Sequence, residues 1–451
     1  MDIRAAIQEK DNTKGHGTIN TLADDIRFIN NNNRVVKCYR DPDDGEYKIY
    51  TAPQLSTSTS VTAPMTGIEG KELIAYIAPT SVTSIAANAF QNQTSLEYVN
   101  FENIKTIGTD ALSGCSSLTM SAKFPSLTSG SFRNTYFKEI LDLGKLTSTA
   151  DVSGASSSVF YNCRANKIVF PETFTKVGQN TFGTNTYLKE AIFPSTTLVV
   201  IGRESFKNCT NLKTLGNLRI SSFNGLQAFY GCSSLGPNLD FSDSTFGTFG
   251  YNATSNGETF SNCTGLTTLT LPTSCTILAY RVLNGCTNLT TINGLDRIQT
   301  VGNGSCMGCT KLGGELLNAA VKTIAAYGFS NCKFTKIVLP NIISTGGTNA
   351  TTNSGSFYNN NTMTYAEFGP NCTTIGYRTF ANCSSLQTFV CRAETPPTLQ
   401  TNVFLNTPAT LKIYVPYSSD DSIINAYKAA SNWSAQASKI YSLDVNGEIP
   451  V

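Results

Sequence analysis

Charge is scarce in this chain. Of its 451 residues, 14% are Asp, Glu, Lys or Arg, where soluble domains usually carry roughly 25%. The 33 basic and 31 acidic side chains leave a net charge of +2, and no basic run exceeds a pair. The concentrated positive field that nucleic-acid binding requires is therefore missing. Histidine occurs once, as His16 between two glycines, which rules out a multi-histidine zinc site and argues against a histidine-dependent triad. No stretch nears the roughly 20 apolar residues of a membrane span. The first residues carry charge at Asp2, Arg4, Glu9 and Lys10 without an apolar run, so they do not read as a secretory or lipoprotein leader. Carboxylates gather at the ends, at 41–46 and 418–421, so paired carboxylates for sugar hydrolysis are not expected. No phosphate-binding loop follows a strand. Neither an enzyme nor a bound cofactor nor a metal is expected.

What the chain does have is a repeat. An aromatic or aliphatic anchor is followed by x-Asn/Gly-Cys-Ser/Thr-x-Leu, as in "LSGCSSL" from Leu112, "FKNCTNL" from Phe206 and "FSNCTGL" from Phe260. Anchors stand at 90, 112, 132, 160, 182, 206, 229, 260, 283, 306, 329, 357, 380 and 404. A spacing near 23 sustained over these units lies in the range of leucine-rich repeats and predicts a solenoid. Solubility falls to Ser, Thr, Asn and Gly, a neutral polar surface suited to display outside a cell.

The 14 cysteines fit this period rather than a disulfide or metal pattern. Cys115, Cys163, Cys209, Cys232, Cys263, Cys286, Cys309, Cys332 and Cys383 each lie three residues after an anchor. Cys275 and Cys372 share a second position, Cys306 replaces an anchor, Cys391 sits in a strand, and Cys38 lies outside the pattern. Stacked repeats would set the nine in an inner column of small buried hydrophobes. Cys306-Met-Gly-Cys309 has redox-motif spacing, but each cysteine has its own place in the repeat.

A complete unit reads Leu-x-x-Ile-x-Leu-Pro, a polar turn, then Ile-Gly-x-x-x-Phe-x-x-Cys, as at 266–272 and 374–380. Alternation predicts a short strand that proline ends. The recurrent glycine (Gly108, Gly178, Gly202, Gly302, Gly376) is expected to free a tight turn before a short helical or 3₁₀ segment carrying the anchor. Anchors 132, 182 and 357 have Thr135, Asn185 and Asn360 where cysteine is expected, and packing should be looser there.

These motifs resemble the BspA-like (Treponema-type) leucine-rich repeat. The segment after the last anchor is similar to the closing segment of such proteins from Bacteroides-type bacteria. The resemblance spans 70–442 and implies cell-surface adhesion to host or microbial partners without catalysis. The expected fold is an α/β repeat solenoid, an array of about fourteen ~23-residue leucine-rich units with parallel β-strands and caps at both ends. Residues 1–69 are read as an N-terminal attachment or capping module, 70–403 as the array and 404–451 as the C-terminal cap. The first module includes a helix over 20–29 and a hairpin over 34–51 with Asp-Pro-Asp-Asp-Gly as its turn. The cap has a strand, a helix over 422–430 and Trp433 as core.

Three long steps insert polar segments at 147–158, 242–258 and 344–356. Insertions along one edge of an array often bind ligand, or are simply tolerated growth. Candidate ligand contacts are Asp151, Phe246, Phe249, Tyr251, Asn252, Asn349 and Asn353, the aromatics having core packing as the alternative. Sequons such as Asn208-Cys-Thr follow from the repeat itself. The expected function is non-enzymatic recognition. One reading is a phage virion protein, fibre or tail-associated, binding the bacterial surface and contacting other virion proteins through residues 1–69. The alternative is a bacterial surface adhesin that binds host or microbial protein or glycan. Partners are thus a protein or glycan receptor on a cell surface and, as a homo-oligomer, further copies of the chain; nucleic acid and membrane insertion are not expected. The place is the virion or, alternatively, the cell surface or extracellular space.

Overall fold

Each coil makes two short strands and one tight turn. The computed structural model describes residues 36–40, 47–51, 60–61, 72–99, 103–118, 131–137, 140–143, 158–251, 257–347 and 354–450. They divide into two units, one of Met1–Phe174 with Thr181–Ile192 and one of Thr175–Asn180 with Phe193–Val451. The expected helix over 20–29 lies outside the described residues.

In the coil begun by Phe260, Leu266 and Leu269 point inward and are fully buried. Their neighbours Thr268 and Thr270 stay half-buried on the outer face of the strand Thr268–Thr270, as the two-residue period of a strand requires. Pro272 ends this strand. A second strand, Ile277–Leu278, follows within a few residues. The chain then turns through Leu283 into the next coil.

In the first unit the strand Val36–Arg40 pairs antiparallel with Tyr47–Thr51 on one side and with Glu72–Ile77 on the other. This hairpin closes the edge of the first-strand sheet, which otherwise presents unpaired backbone groups. Parallel coils follow: Val61, Ile85 and Ile107 align in one sheet, and Leu141, Ile168 and Ala191 in another. Their anchors stack in register. Phe132 and Phe160 rings lie 5.6 Å apart, and Phe160 and Phe182 lie 5.4 Å apart with a 2° tilt.

In the second unit the second strands build two parallel sheets, a three-stranded one of Lys176–Val177, Val199–Gly202 and Ile220–Asn224 and then a longer, seven-stranded one. The longer sheet comprises Thr248–Phe249, Ile277–Leu278, Thr300–Val301, Thr323–Ile324, Ser344–Thr345, Thr374–Ile375 and Thr398–Leu399. The first strands form a six-stranded sheet from Gly313–Leu317 to Ile440–Ser442 and a separate three-stranded one at Asn238–Asp240, Thr268–Thr270 and Thr291–Asn293. At the C-terminal end Trp433 is fully buried. Its Nε1 donates to Pro397 O at 2.8 Å, and its ring meets Tyr427 edge-on at 4.9 Å. The one α-helix among the described residues, Ser422–Ala429, lies in this region.

The anchor segment differs from its expected form. It is a turn, not a helix, and it forms a third ladder between coils. The anchor amide of one coil donates to the residue before the next anchor, as Phe206 N to Ala228 O at 2.8 Å. The amide two residues on donates to the residue after that anchor, as Asn208 N to Tyr230 O at 2.7 Å. To aim alternate amides along the array, the residue two after each anchor adopts a left-handed backbone: φ is 58° at Asn208, 72° at Gly231, 61° at Asn262 and 73° at Gly285. Asn and Gly tolerate that region best, which is why the motif reads Asn/Gly before Cys.

The recurrent glycines also have a different cause from the expected one. Gly202 and Gly302 are not left-handed; a Cβ there would lie 2.5 Å from Val177 O and 2.8 Å from Leu278 O respectively. Close approach of adjacent coils, rather than turn freedom, demands glycine.

Candidate recognition surface

The interior accounts for most of the chemistry-bearing side chains. All 14 cysteines are free and buried. Seven of the nine in the repeat position donate their thiol to the anchor carbonyl of the preceding coil, at 3.1 Å from Cys232 to Phe206 O and 3.2 Å from Cys286 to Phe260 O, for example. Burial pushes Cys115, Cys163, Cys232 and Cys383 up to about 12, so at neutral pH each is an inert thiol rather than a nucleophile. Cys306 lies in the anchor column and Cys309 in the thiol column, each fully buried. Among the described residues, no group of three His, Cys, Asp or Glu could hold a metal.

Coils lacking the cysteine are not looser. Thr135, Asn185 and Asn360 are fully buried. Thr135 Oγ1 donates to Leu112 O at 3.1 Å, and Asn360 Nδ2 to Phe329 O at 2.8 Å, repeating the bond the thiol makes elsewhere. Asn185 Nδ2 instead meets Cys163 Sγ at 3.1 Å. The difference is a hydrogen-bond defect: Asn185 Oδ1 and Asn360 Oδ1 are buried without a partner.

The expected ligand loops divide. Phe246 and Phe249 are buried, at 3% and 0% exposure, which corrects the expectation that they contact a ligand. They pack on Phe223, Phe241 and Phe260, with Phe249 stacked 5.1 Å from Phe260. The segment 242–251 is consequently ordinary coil, including the strand Thr248–Phe249, and the insertion begins only after it. Tyr251 is half-buried, its amide donating to Thr259 Oγ1 at 3.2 Å. Asp151, Asn252, Asn349 and Asn353 lie outside the described residues.

The outward row of the longest sheet is uncharged and repetitive. On the seven-stranded sheet the outward row is Thr248, Ile277, Thr300, Thr323, Ser344, Thr374 and Thr398, each beside a buried inward residue. Other hydroxyls staple coil to coil, as Thr290 Oγ1 to Thr267 O at 3.0 Å and Thr364 Oγ1 to Thr335 O at 3.2 Å. On the anchor side, Lys207, Gln227, Glu258 and Arg281 form a polar chain across successive coils. Lys207 Nζ reaches Gln227 Oε1 and Gln227 Nε2 reaches Glu258 Oε2, both at 2.7 Å, and Arg281 pairs with Glu258 at 3.4 Å. Lys207 also pairs with Glu204 at 3.4 Å, so each of these charges has an opposite partner.

One recess interrupts this regularity. It has a volume of about 320 Å³ and opens between successive coils, lined by Gln299, Ala319, Ala320, Lys322, Asn341, Ile343 and Asn371. Backbone bonds fix its rungs: Lys322 N to Gln299 O, Ile343 N to Lys322 O and Thr373 N to Ile343 O, each 2.8 Å. Asn341 Nδ2 is held on Ala319 O at 2.8 Å, and Ile343 is 41% exposed. Sequence reasoning missed this site, because its residues come from four coils and share no motif.

The family profile for the BspA type leucine-rich repeat region (6 copies) matches residues 69–184, 121–236, 253–356 and 317–434. No curated protein matches the chain. A leucine-rich repeat protein from Bacteroides ovatus is similar in structure at 17% identity and a TM-score of 0.46, covering 84% of this chain and 98% of its own. A leucine-rich cell surface protein from Faecalibacterium prausnitzii has 17% identity and a TM-score of 0.33, over 88% and 96%. The pneumococcal vaccine antigen PcpA has 14% identity and a TM-score of 0.33, over 82% and 89%. With its inner thiol column, its anchor stack and a profile match over most of its length, the chain belongs to the BspA-type leucine-rich repeat family.

Proposed function

We propose that this protein is a bacterial surface recognition protein that adheres to host or microbial protein or glycan without catalysis. The observation that carries the reading is the division of each coil. Most apolar side chains and all the thiols are consumed by the core, while six of the seven outward residues on the seven-stranded sheet, all but Ile277, present a neutral hydroxyl at strand spacing. A surface of that kind offers many equivalent contacts rather than one enclosed pocket, which suits multivalent attachment. Family membership supports the same reading, and placement at the cell surface belongs to it. The virion reading has no comparable observation behind it. Treating intact producing cells with protease, beside purified chain tested on host and bacterial cells, is the direct test. Expected are loss of the protein from intact cells and saturable binding of the purified chain. Protection in intact cells together with no binding to either cell type would contradict the proposal.

A further inference from the structure

We propose that the recess around Lys322 binds the carboxylate of an acidic sugar, a saccharide class that includes internal uronic acids and terminal sialic-type residues. The inference rests on the adhesion reading above and names its ligand chemistry. Lys322 is the one charged side chain lining the recess, and it forms no ion pair among the described residues. An exposed ammonium is a point charge suited to a single anionic group. Around it stand Gln299, Asn341 and Asn371. Each amide offers at least one donor and an acceptor, Asn341 with one N–H already held by Ala319 O, and donor with acceptor is the complement that vicinal sugar hydroxyls need. Ile343, 41% exposed, supplies a small apolar platform for the face of one ring. The volume, about 320 Å³, is near the lower end of ligand sites, where pockets run from about 300 to 1,000 Å³. Thr300, Thr323 and Ser344 directly follow Gln299, Lys322 and Ile343 in the chain, so the hydroxyl row begins at the rim and continues across the sheet for neighbouring sugars.

A peptide carboxylate is the weaker fit. The usual docking of an extended peptide on a sheet uses a free strand edge. Here Thr300–Val301 and Thr323–Ile324 are paired on both sides, so no edge is offered beside the recess.

The test uses the full chain and titrates oligogalacturonate, sialyllactose, their carboxyl-reduced forms, lactose and an oligoglutamate peptide. Binding of an acidic sugar is expected, and which of the two binds identifies the source. Carboxyl reduction should weaken it about ten-fold or more, the scale of one hydrogen bond to a charged group. Lys322→Gln should do the same, while Lys322→Arg stays within a few fold. Lys322 is exposed, so these variants should keep their circular dichroism and melting temperature. Equal binding by Lys322→Gln, or binding of the peptide but no sugar, overturns the proposal in favour of another site or a protein partner. Binding to cells that acidic sugars do not compete for overturns it while leaving the adhesion reading standing; no binding to any cell or glycan removes both.

Discussion

The anchor wall and the second-strand face belong to the same coils, yet they tolerate change very differently. In the wall, the residue at the anchor, two after it and three after it is set by packing, by a left-handed backbone and by a buried thiol bond. On the face, a rung asks only for one inward buried residue, apolar in every strand but Ser344–Thr345, and its outward neighbour varies among Thr, Ser and Ile. Fold is written on one side of the coil, and recognition is free to be written on another.

The largest effect should come from breaking the wall. Phe260 stacks on Phe229 at 4.9 Å and on Phe249 at 5.1 Å and is fully buried. Phe260→Ala should lower stability by about 3–5 kcal/mol in denaturant unfolding. Alkaline titration strikes the same wall through many sites at once. Folded-state values for Cys115, Cys163, Cys232 and Cys383 are raised by burial to about 12, above the roughly 8.5 of an unfolded thiol. Stability from these groups is therefore complete below about pH 8.5 and is lost as pH rises toward 12. A melting temperature that falls steeply across that window is expected; a flat profile would show the thiols to be solvated.

A smaller effect tests the backbone rule. Asn262 has φ 61°, and Asn262→Val should cost about 1–2 kcal/mol because a β-branched residue is strained in that region. The opposite sign is expected at a coil that departs from the motif. Asn360→Cys removes a buried amide oxygen without a partner and should stabilise by about 1 kcal/mol, the lower end of the penalty for such a group. If it destabilises, the asparagine bonds to Phe329 O and Phe357 O outweigh that defect.

Much of the wall was legible in the sequence because its constraints repeat in place: anchors, thiols and Asn/Gly recur at fixed offsets. The second strands were not, since two residues such as Thr323–Ile324 are too short to show alternation. The left-handed position two before the anchor was hidden too. It is occupied by Glu204, Gln227, Glu258 and Arg281, types that do not signal such a backbone, and the last three are linked there by side-chain bonds across coils. Phe246 and Phe249 looked like loop aromatics because Gly and Thr surround them, although they are core residues of a regular coil. Lys322 and its amides were invisible for the reverse reason: stacking brings them together, and no spacing along the chain marks them.

The measurement that tests this division most directly is a paired one on a variant carrying Thr300→Lys, Thr323→Lys and Thr374→Lys, read for melting temperature and for binding to whole cells. All three residues lie on the outward row, where surface substitutions shift stability by roughly 0.5 kcal/mol or less each. The account predicts a melting temperature within a few degrees of the parent and loss of cell binding. Unchanged binding, or collapse of the fold, would contradict it.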